Sequence, residues 1–286
     1  MKNIFHIGYH KTATTWFQKI FYISVQNFKV VNREKIRNYF YENINEEFNS
    51  NNDLIFCDEE LSGNIHNSGY SGFLTNGIAR KISEFENPKV IIFIRNQFDI
   101  IPSSYLQYVK EGGNYSLKRY IKHEEFSRNN RTSLFSYSHF NYENVISYYV
   151  SLIGRENVYV YLFEDFISNQ KEFIDKFTET HQFQIDKKSI DFSKNNNSYS
   201  YISLFLARII NSFSRKNVIY KYYILHIPYV YEYAREILRR VKFFPIKNKS
   251  FLGGELRNEI QSYYSESNKR ISNKYNLDLE KYNYPI

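Results

Sequence analysis

The feature that most constrains this 286-residue chain is the apolar run KVIIFI, from Lys89 to Ile94. After Lys89 it has no polar alternation, so both faces of the strand must be covered, as they are near the centre of a parallel sheet. Other short apolar runs alternate with helical stretches along the chain. Strands separated by helices indicate a parallel sheet with right-handed crossovers. We therefore predict an α/β, three-layer fold with a central parallel sheet flanked by helices.

The remaining elements are predicted from periodicity and from glycine and proline breaks. Apolar runs predict strands around Ile4–Ile7, at 54–57 and at 157–166, whereas 30–50 is predicted to be helix and loop and 62–72 to be a glycine-rich loop. Helices are predicted at about 73–85, 99–110, 142–152, 169–180, 200–213, 229–241 and 254–275. No repeat or linker divides the chain. We expect one domain, 1–286, with a mainly helical part from about 200 onward.

The N-terminal stretch HIGYHKTATTWFQKIF, His6 to Phe21, combines a strand, a polar loop and a helix. The loop begins at Gly8 and carries Lys11, and apolar positions at helical spacing follow Thr15. Free N–H groups and the positive end of a helix dipole suit such a loop to holding an anion, as in P-loop-like folds. In the common magnesium-dependent phosphate loop the lysine directly precedes a serine or threonine. Here Lys11 precedes the threonine pair by three residues. An ordinary βα turn with an exposed lysine is the alternative.

A second anion-binding corner is predicted where KVIIFI ends at Arg95. Ligands of open α/β sheets bind at the carboxyl ends of the strands, so Arg95 and the first loop should face the same crevice. Nucleotide kinases typically place an aspartate for magnesium at such a strand end. An arginine there binds an anion directly, because its fork matches phosphate. The alternative is a structural role for Arg95, in a salt bridge to Asp99 or at a helix C-terminus.

The two stretches together resemble the sulfotransferases that use 3′-phosphoadenosine 5′-phosphosulfate (PAPS), in particular bacterial members that modify carbohydrates. KTATTW, Lys11 to Trp16, matches the family's 5′-phosphosulfate loop, and RNQFDIIPS, Arg95 to Ser103, matches its 3′-phosphate site. FED, 163–165, and the C-terminal tail add weaker similarity. Two residues depart from the pattern: Ala13 stands where the family usually has glycine, and His10 where many members have proline.

The resemblance implies sulfuryl transfer by in-line displacement, without a metal, to a hydroxyl of a glycan or glycolipid, with 3′,5′-ADP as product. Lys11 would stabilise the bridging oxygen, while Arg95 and Ser103 would hold the 3′-phosphate and distinguish the donor from ATP. The donor site implied in this way comprises Gly8, Lys11, Thr12, Ala13, Thr14, Thr15, Trp16, Arg95 and Ser103.

The acceptor hydroxyl also needs a base. DEELSG resembles the strand-end Glu-x-Leu-Ser of bacterial relatives, which selects Glu59 over Glu60. Three adjacent acids at a strand end are expected to raise the pKa of at least one of them. His10, beside Lys11, is the rival base, and His66 is a weaker one. The alternative for Glu59 is a solvated loop acid or a helix-capping partner.

Charge adds a further candidate surface. The segment 208–249 holds ten basic and two acidic residues, an excess equal to the +8 net charge of the chain. It could meet an acidic acceptor or the inner membrane surface, or it could be a solvated helical face. No nucleic-acid motif is present, so we expect no nucleic-acid partner. Cys57 is the only cysteine, and no signal peptide or membrane-length apolar run is found, so a cytoplasmic location is expected.

Two other functions fit parts of this pattern. A nucleotide-dependent kinase on a P-loop-like fold would require magnesium and a strand-end aspartate. A non-catalytic protein that binds acidic partners through 208–249 would be strongly salt-dependent and indifferent to loss of Lys11.

Overall fold

The computed structural model describes residues 2–48, 52–66, 73–122, 134–186, 190–192, 201–213, 233 and 251–286. In this part of the chain a five-stranded parallel sheet has the order β2-β3-β1-β4-β5. The strands are β1 (Asn3–His6), β2 (Phe28–Val30), β3 (Asp53–Cys57), β4 (Pro88–Ile94) and β5 (Val158–Leu162). The predicted α/β fold with a central parallel sheet is confirmed.

Both faces of the sheet are covered, as the apolar run in β4 requires. Side chains alternate between the faces along each strand. Ile4, Ile91 and Phe93 belong to one buried cluster, whereas Phe5 and Ile92 belong to the other. β4 lies between β1 and β5 and is therefore an interior strand.

The helices divide between these two clusters. The first helical segment begins as α1 (Thr14–Trp16) and continues as a π-helical turn, Phe17–Phe21, and a 3₁₀ turn, Tyr22–Ser24. It packs with α7 (Phe163–Ser168) and α8 (Gln170–His181) on one face. Against the other face lie α2 (Arg33–Phe40), α3 (Phe73–Ser83), α4 (Gln97–Lys110), α5 (Leu117–Ile121), α6 (Tyr142–Ile153), α9 (Tyr201–Ser212) and α10 (Gly254–Tyr275).

The register places the functional stretches at one edge of the sheet. His6 is aligned with Cys57 of β3 and Ile91 of β4, and Ile94 is aligned with Leu162 of β5. The loops that follow β1, β3, β4 and β5 therefore leave from the same carboxyl edge, where ligands of open α/β sheets bind.

Two predicted elements differ from the structure. β2 was not predicted, because its short sequence FKV lies at the polar margin of 30–50 and only one of its side chains is buried. The strand predicted at 157–166 ends at Leu162, and FED opens α7 instead. Acidic residues favour the first turn of a helix, where they meet the positive end of its dipole.

Three other predictions concern parts that are not described. The helix at 229–241 and most of the basic segment 208–249 lie outside the described residues, as does 67–72 of the predicted loop. The single-domain organisation stays a prediction. In the described residues, no helix combines the length and apolar character that a membrane span requires.

Candidate functional site

The loop between β1 and α1 has an unusual backbone conformation. Gly8, Lys11 and Ala13 all have positive φ, of 27°, 67° and 65°. We expected alanine to resist this region, but Ala13 adopts it and accepts the first helical hydrogen bonds, from the N–H groups of Trp16 and Phe17. Left-handed backbone costs an L-residue roughly 1–2 kcal/mol. Such strain is typical of functional loops.

Gly8 allows the loop to close tightly on β1. A Cβ at this position would lie 2.8 Å from Thr14 Oγ1 and 3.1 Å from His6 Nε2. Thr12 is buried, and its hydroxyl donates to the Tyr9 carbonyl. Thr14 is also buried, whereas Thr15 is exposed. The loop therefore forms a compact cradle in which Thr12 has a structural hydrogen bond.

Trp16 anchors the helix that leaves this loop. Its ring packs against Phe17, Phe166 and Phe192, and its Nε1 donates to the Asp191 carbonyl at 3.2 Å. These contacts support a packing role for Trp16. Direct contact with a nucleotide stays a prediction.

Arg95 joins the two predicted anion-binding stretches. Its Nη1 donates to the Lys11 carbonyl at 2.9 Å, and its guanidinium carbon lies 4.7 Å from the centre of the Phe163 ring. The Arg95 carbonyl accepts from the Tyr142 hydroxyl at 2.6 Å. Among the described residues no salt bridge joins Arg95 to Asp99, although the charge of Asp99 acts to raise the pKa of Arg95 against the larger effect of burial. The structure thus brings Lys11 and Arg95 together.

Ser103 lies in the second turn of α4 and is half-buried. Among the described residues no hydrogen bond joins it to Arg95. Its assignment to a 3′-phosphate site therefore stays a prediction based on its spacing from Arg95.

The electrostatic setting of Lys11 suits anion binding. Burial and the positive charges of Lys110 and Arg95 lower its pKa to about 8, while Glu111 acts in the opposite direction. A buried ammonium that other cations repel is stabilised by an anion placed beside it. The loop therefore lies where the positive charges of Lys11, Lys110 and Arg95 act on one another.

The first of the three acids after β3 is an ion-pair centre. Asp58 is fully buried and accepts hydrogen bonds from Nε of Arg33 and of Arg37, each at 2.9 Å. Burial acts to raise the pKa of Asp58, but these hydrogen bonds outweigh it and the net pKa is lowered. For Asp58 this is opposite to the rise that three adjacent acids suggested.

The other two acids face different partners. Glu59 pairs with Arg33 and accepts from Gln18 Nε2 at 3.3 Å. Glu60 Oε1 lies 3.2 Å from His10 Nε2, and its other oxygen accepts from Asn64 at 3.3 Å. An imidazole paired with a carboxylate is thus found directly beside Lys11 in the chain.

His66 lies close to the same group of side chains. Its Nε2 is 2.9 Å from Glu111 Oε2, and its Nδ1 is 3.4 Å from the Tyr120 hydroxyl. Among the four base candidates, His10 and Glu60 contact each other, Glu59 is held by Arg33, and His66 is paired with Glu111.

Several residues of this region were not predicted. Glu164 is buried next to Arg95, accepts from the Asn96 N–H at 2.9 Å, and has a pKa raised by burial. Glu111 and His139 also belong here. Glu164 could have been suspected from FED, which follows a strand. Nothing in the sequence marks Glu111 or His139, because both approach the site only through tertiary packing.

A separate surface depression lies on α8, lined by charged residues such as Lys171, Glu172 and Asp175. None of the predicted site residues lines it, so it is not part of the candidate site.

The fold and the loop define an α/β protein with a P-loop-like arrangement: a parallel sheet whose first strand leads through a tight loop into a helical segment. No protein-family model matches the chain, and no curated protein matches it. The fold is similar to the crystal structure of a sulfotransferase from Alicyclobacillus acidocaldarius, with a TM-score of 0.50 and 15% identity, over 74% of this chain and 94% of that one. At this identity the likeness establishes a shared fold.

A weaker likeness is to mouse sulfotransferase SULT7A1 complexed with PAP. It has a TM-score of 0.45 and 12% identity and covers 93% of this chain and 84% of that chain. That score is too low to support a conclusion.

Proposed function

We propose that this protein is a sulfotransferase that moves the sulfuryl group of PAPS to a hydroxyl of a glycan or glycolipid. The observation that carries the proposal is the 2.9 Å hydrogen bond from Arg95 Nη1 to the Lys11 carbonyl. It joins the stretches that match the family's 5′-phosphosulfate and 3′-phosphate motifs. The sulfotransferase fold of the structural neighbour is consistent with this function.

The loop fits a phosphosulfate group in two respects. Gly8 leaves space that a side chain would fill, since a Cβ there would lie 2.8 Å from Thr14 Oγ1. Lys11 provides a buried cation whose pKa is lowered by burial and by the charges of Lys110 and Arg95, which outweigh the opposite effect of Glu111. Backbone N–H groups at the start of the helical segment add hydrogen-bond donors.

In the proposed reaction the acceptor oxygen bonds to sulfur while the bond from sulfur to the 5′-phosphate oxygen breaks. The 5′-phosphate leaves with the electron pair, and Lys11 neutralises its growing negative charge. Arg95 and Ser103 hold the 3′-phosphate. Because side-chain cations stabilise the leaving group, the proposed reaction requires no metal.

His10 is the base that we propose, in preference to Glu59. It takes the proton of the acceptor hydroxyl, and Glu60, 3.2 Å from its Nε2, stabilises the imidazolium that forms. Nδ1 has no hydrogen-bond partner among the described residues, and we propose that this nitrogen faces the acceptor. Glu59 is less suited, because its carboxylate is already paired with Arg33.

Calorimetric binding of 3′,5′-ADP to the wild type, Lys11→Ala and Arg95→Ala, with ATP–magnesium in parallel, tests the donor site. We expect metal-independent binding that each substitution weakens about tenfold or more, since each removes a charge-assisted contact. Glu172→Gln, on the distant α8, is the matched control and should bind like the wild type. Better binding of ATP–magnesium would favour the kinase alternative and refute the proposal.

The base is tested with two further variants of the intact chain. His10→Asn should keep the wild-type affinity for 3′,5′-ADP but lose about 10²–10⁴-fold in sulfuryl transfer. Glu59→Gln should retain most of the transfer rate. A large loss of transfer in Glu59→Gln together with a small loss in His10→Asn would indicate that Glu59 is the base.

A further inference from the structure

Three histidines gather beside Lys11, from distant parts of the chain. His10 follows β1, His66 follows β3, and His139 lies in a 3₁₀ turn, Tyr137–Phe140. The pKa of His139 is lowered to about 3, first by burial and then by the charges of His10 and His66. The charge of His10 also reaches Glu111, whose own charge acts on Lys11. Together with the 2.9 Å contact between His66 and Glu111, these charge interactions indicate that the three histidines lie in the same part of the candidate site.

Two of the imidazoles carry a carboxylate partner. His10 Nε2 lies 3.2 Å from Glu60, and His66 Nε2 lies 2.9 Å from Glu111. Amides complete both pairs: Asn64 donates to Glu60 at 3.3 Å, and Gln107 Nε2 donates to Glu111 at 2.6 Å. Each pair thus offers both hydrogen-bond donors and acceptors, the combination that binds hydroxyl groups.

Buried polar atoms at the back of this region lack partners. His139 Nε2, His10 Nδ1 and the Tyr9 hydroxyl have no hydrogen-bond partner among the described residues, although His139 is 4% exposed and Tyr9 fully buried. The Tyr9 and His139 rings contact each other with centroids 5.4 Å apart. Unsatisfied buried polar atoms are rare and call for an explanation, such as a ligand that satisfies them.

The charges around this region favour uncharged acceptors over negatively charged ones. In the proposed function Lys11 pairs with the donor, so the carboxylates of Glu60 and Glu111 remain. The cations near them are Arg37, which acts on Glu60, and Lys110. The phosphate groups of the donor add more negative charge. A carboxylate or sulfate on the acceptor would be repelled by Glu60, by Glu111 and by these phosphates. An uncharged, hydroxyl-rich acceptor meets no such penalty.

We propose that His66, Glu111 and the His10–Glu60 pair form an acceptor subsite that binds the hydroxyl groups of an uncharged sugar and disfavours acidic glycans. This inference rests on the proposed function and narrows its acceptor class. His66 is then a residue that positions the acceptor, and His10 remains the base. Glu111 orients His66 and supplies part of the negative charge.

The test compares a neutral acceptor pool with a carboxylated pool that keeps the primary hydroxyls. Neutral cello-oligosaccharides, with maltooligosaccharides and galactooligosaccharides added, form the first pool, and the same mixture oxidised only at its reducing end to aldonates forms the second. Transfer from ³⁵S-labelled PAPS is measured for the wild type, His66→Gln, Glu111→Gln and the control Glu172→Gln. We expect the wild type to label the neutral pool at least about tenfold faster than the oxidised pool.

The variants separate binding of the acceptor from binding of the donor. His66→Gln and Glu111→Gln should raise the KM for the neutral pool about tenfold, with kcat within about threefold of wild type and unchanged affinity for 3′,5′-ADP. Glu111→Gln should also lower the ratio of the labelling rate of the neutral pool to that of the oxidised pool. A merely structural role would change donor affinity or thermal stability as well.

Failure of this inference is distinguishable from failure of the proposed function. If 3′,5′-ADP binds but the oxidised pool is labelled equally or faster, or neither pool is labelled, the uncharged-sugar subsite is refuted while the donor site stands. If 3′,5′-ADP does not bind, the proposed function itself falls.

Discussion

At the scale of single residues, Lys11 shows how a loop can prepare a cation for an anionic ligand. Burial, Lys110 and Arg95 lower its pKa to about 8 from 10.5. A lysine whose pKa is lowered by folding destabilises the folded protein while it is charged, and this cost is relieved as the pH rises from about 8 towards 10.5. An anion in the loop removes the same cost by pairing with the charge.

We predict that the affinity for 3′,5′-ADP falls as the pH rises above about 8, approaching a tenfold loss per pH unit, because Lys11 must then take up a proton to bind. Calorimetry at pH 7–10, in buffers of different ionisation enthalpy, measures both the affinity and the proton uptake. Lys11→Arg keeps its charge across this range and is the matched control. Identical profiles for the wild type and Lys11→Arg would contradict the prediction.

At the scale of elements, the segment from Gly8 to Ser24 concentrates strain. Two non-glycine residues, Lys11 and Ala13, adopt left-handed backbone within three positions, and the helix that follows contains a π-helical turn at Phe17–Phe21. π-helical turns are rare and frequent at functional sites. Packing of Trp16 and Phe17 against α7 and α8 holds this strained segment in place.

Ala13→Gly is predicted to stabilise the protein by about 0.5–1 kcal/mol. Glycine removes the Cβ penalty of positive φ, and its greater entropy in the unfolded chain offsets part of the gain. The free energy of unfolding in urea measures the effect. Ala79→Gly, in the buried interior of α3, is the control and should lose about 1–2 kcal/mol, because it adds the loss of a buried methyl group to the lower helix propensity of glycine. Destabilisation by both substitutions would argue against the left-handed conformation of Ala13.

At the scale of the whole molecule, the C-terminal tail is tied to the residue that follows Arg95. The Asn96 side chain donates to the carbonyls of Tyr282 and Asn283, at 2.8 and 2.9 Å. Glu164 accepts from the Asn96 N–H and, at 2.8 Å, from the Tyr284 hydroxyl. Residues nearly two hundred positions apart thus fix the start of α4 beside the candidate site.

Tyr284→Phe is predicted to destabilise the fold by about 1–3 kcal/mol at pH 8, because it leaves the buried Glu164 carboxylate with one donor fewer. Burial already raises the pKa of Glu164. An acid whose pKa is raised in the folded state makes the protein less stable as the pH rises through that pKa, because the acid becomes charged. The loss of unfolding free energy caused by Tyr284→Phe should therefore be smaller at pH 5 than at pH 8. Urea unfolding at both pH values measures it.

Tyr263→Phe, at a position on α10 that is 46% exposed, is the matched control and should change stability by less than about 0.5 kcal/mol. Equal losses for Tyr284→Phe and Tyr263→Phe, or a loss that does not depend on pH, would argue against the bond between Tyr284 and Glu164.

The sequence by itself determined the parallel α/β fold and marked two stretches as candidates for anion binding. The apolar run 89–94 requires two covered faces, and glycine, lysine and threonines after a strand indicate a loop at the sheet edge; both signals are local. Helix positions followed from periodicity in the same way, as the close agreement of 99–110 with Gln97–Lys110 shows.

Only the tertiary structure decided which side chains meet. Strands that are separated by long stretches of chain must align before these contacts can form. The contacts are the hydrogen bond of Arg95 to the Lys11 carbonyl, the ion pair of Glu59 with Arg33, and the charge interactions of Glu111 and His139 with His10. β2 and the early end of β5 were also decided there. The physical reason is that long-range packing and charge pairing outweigh local propensity, and neither leaves a periodic signal in the chain.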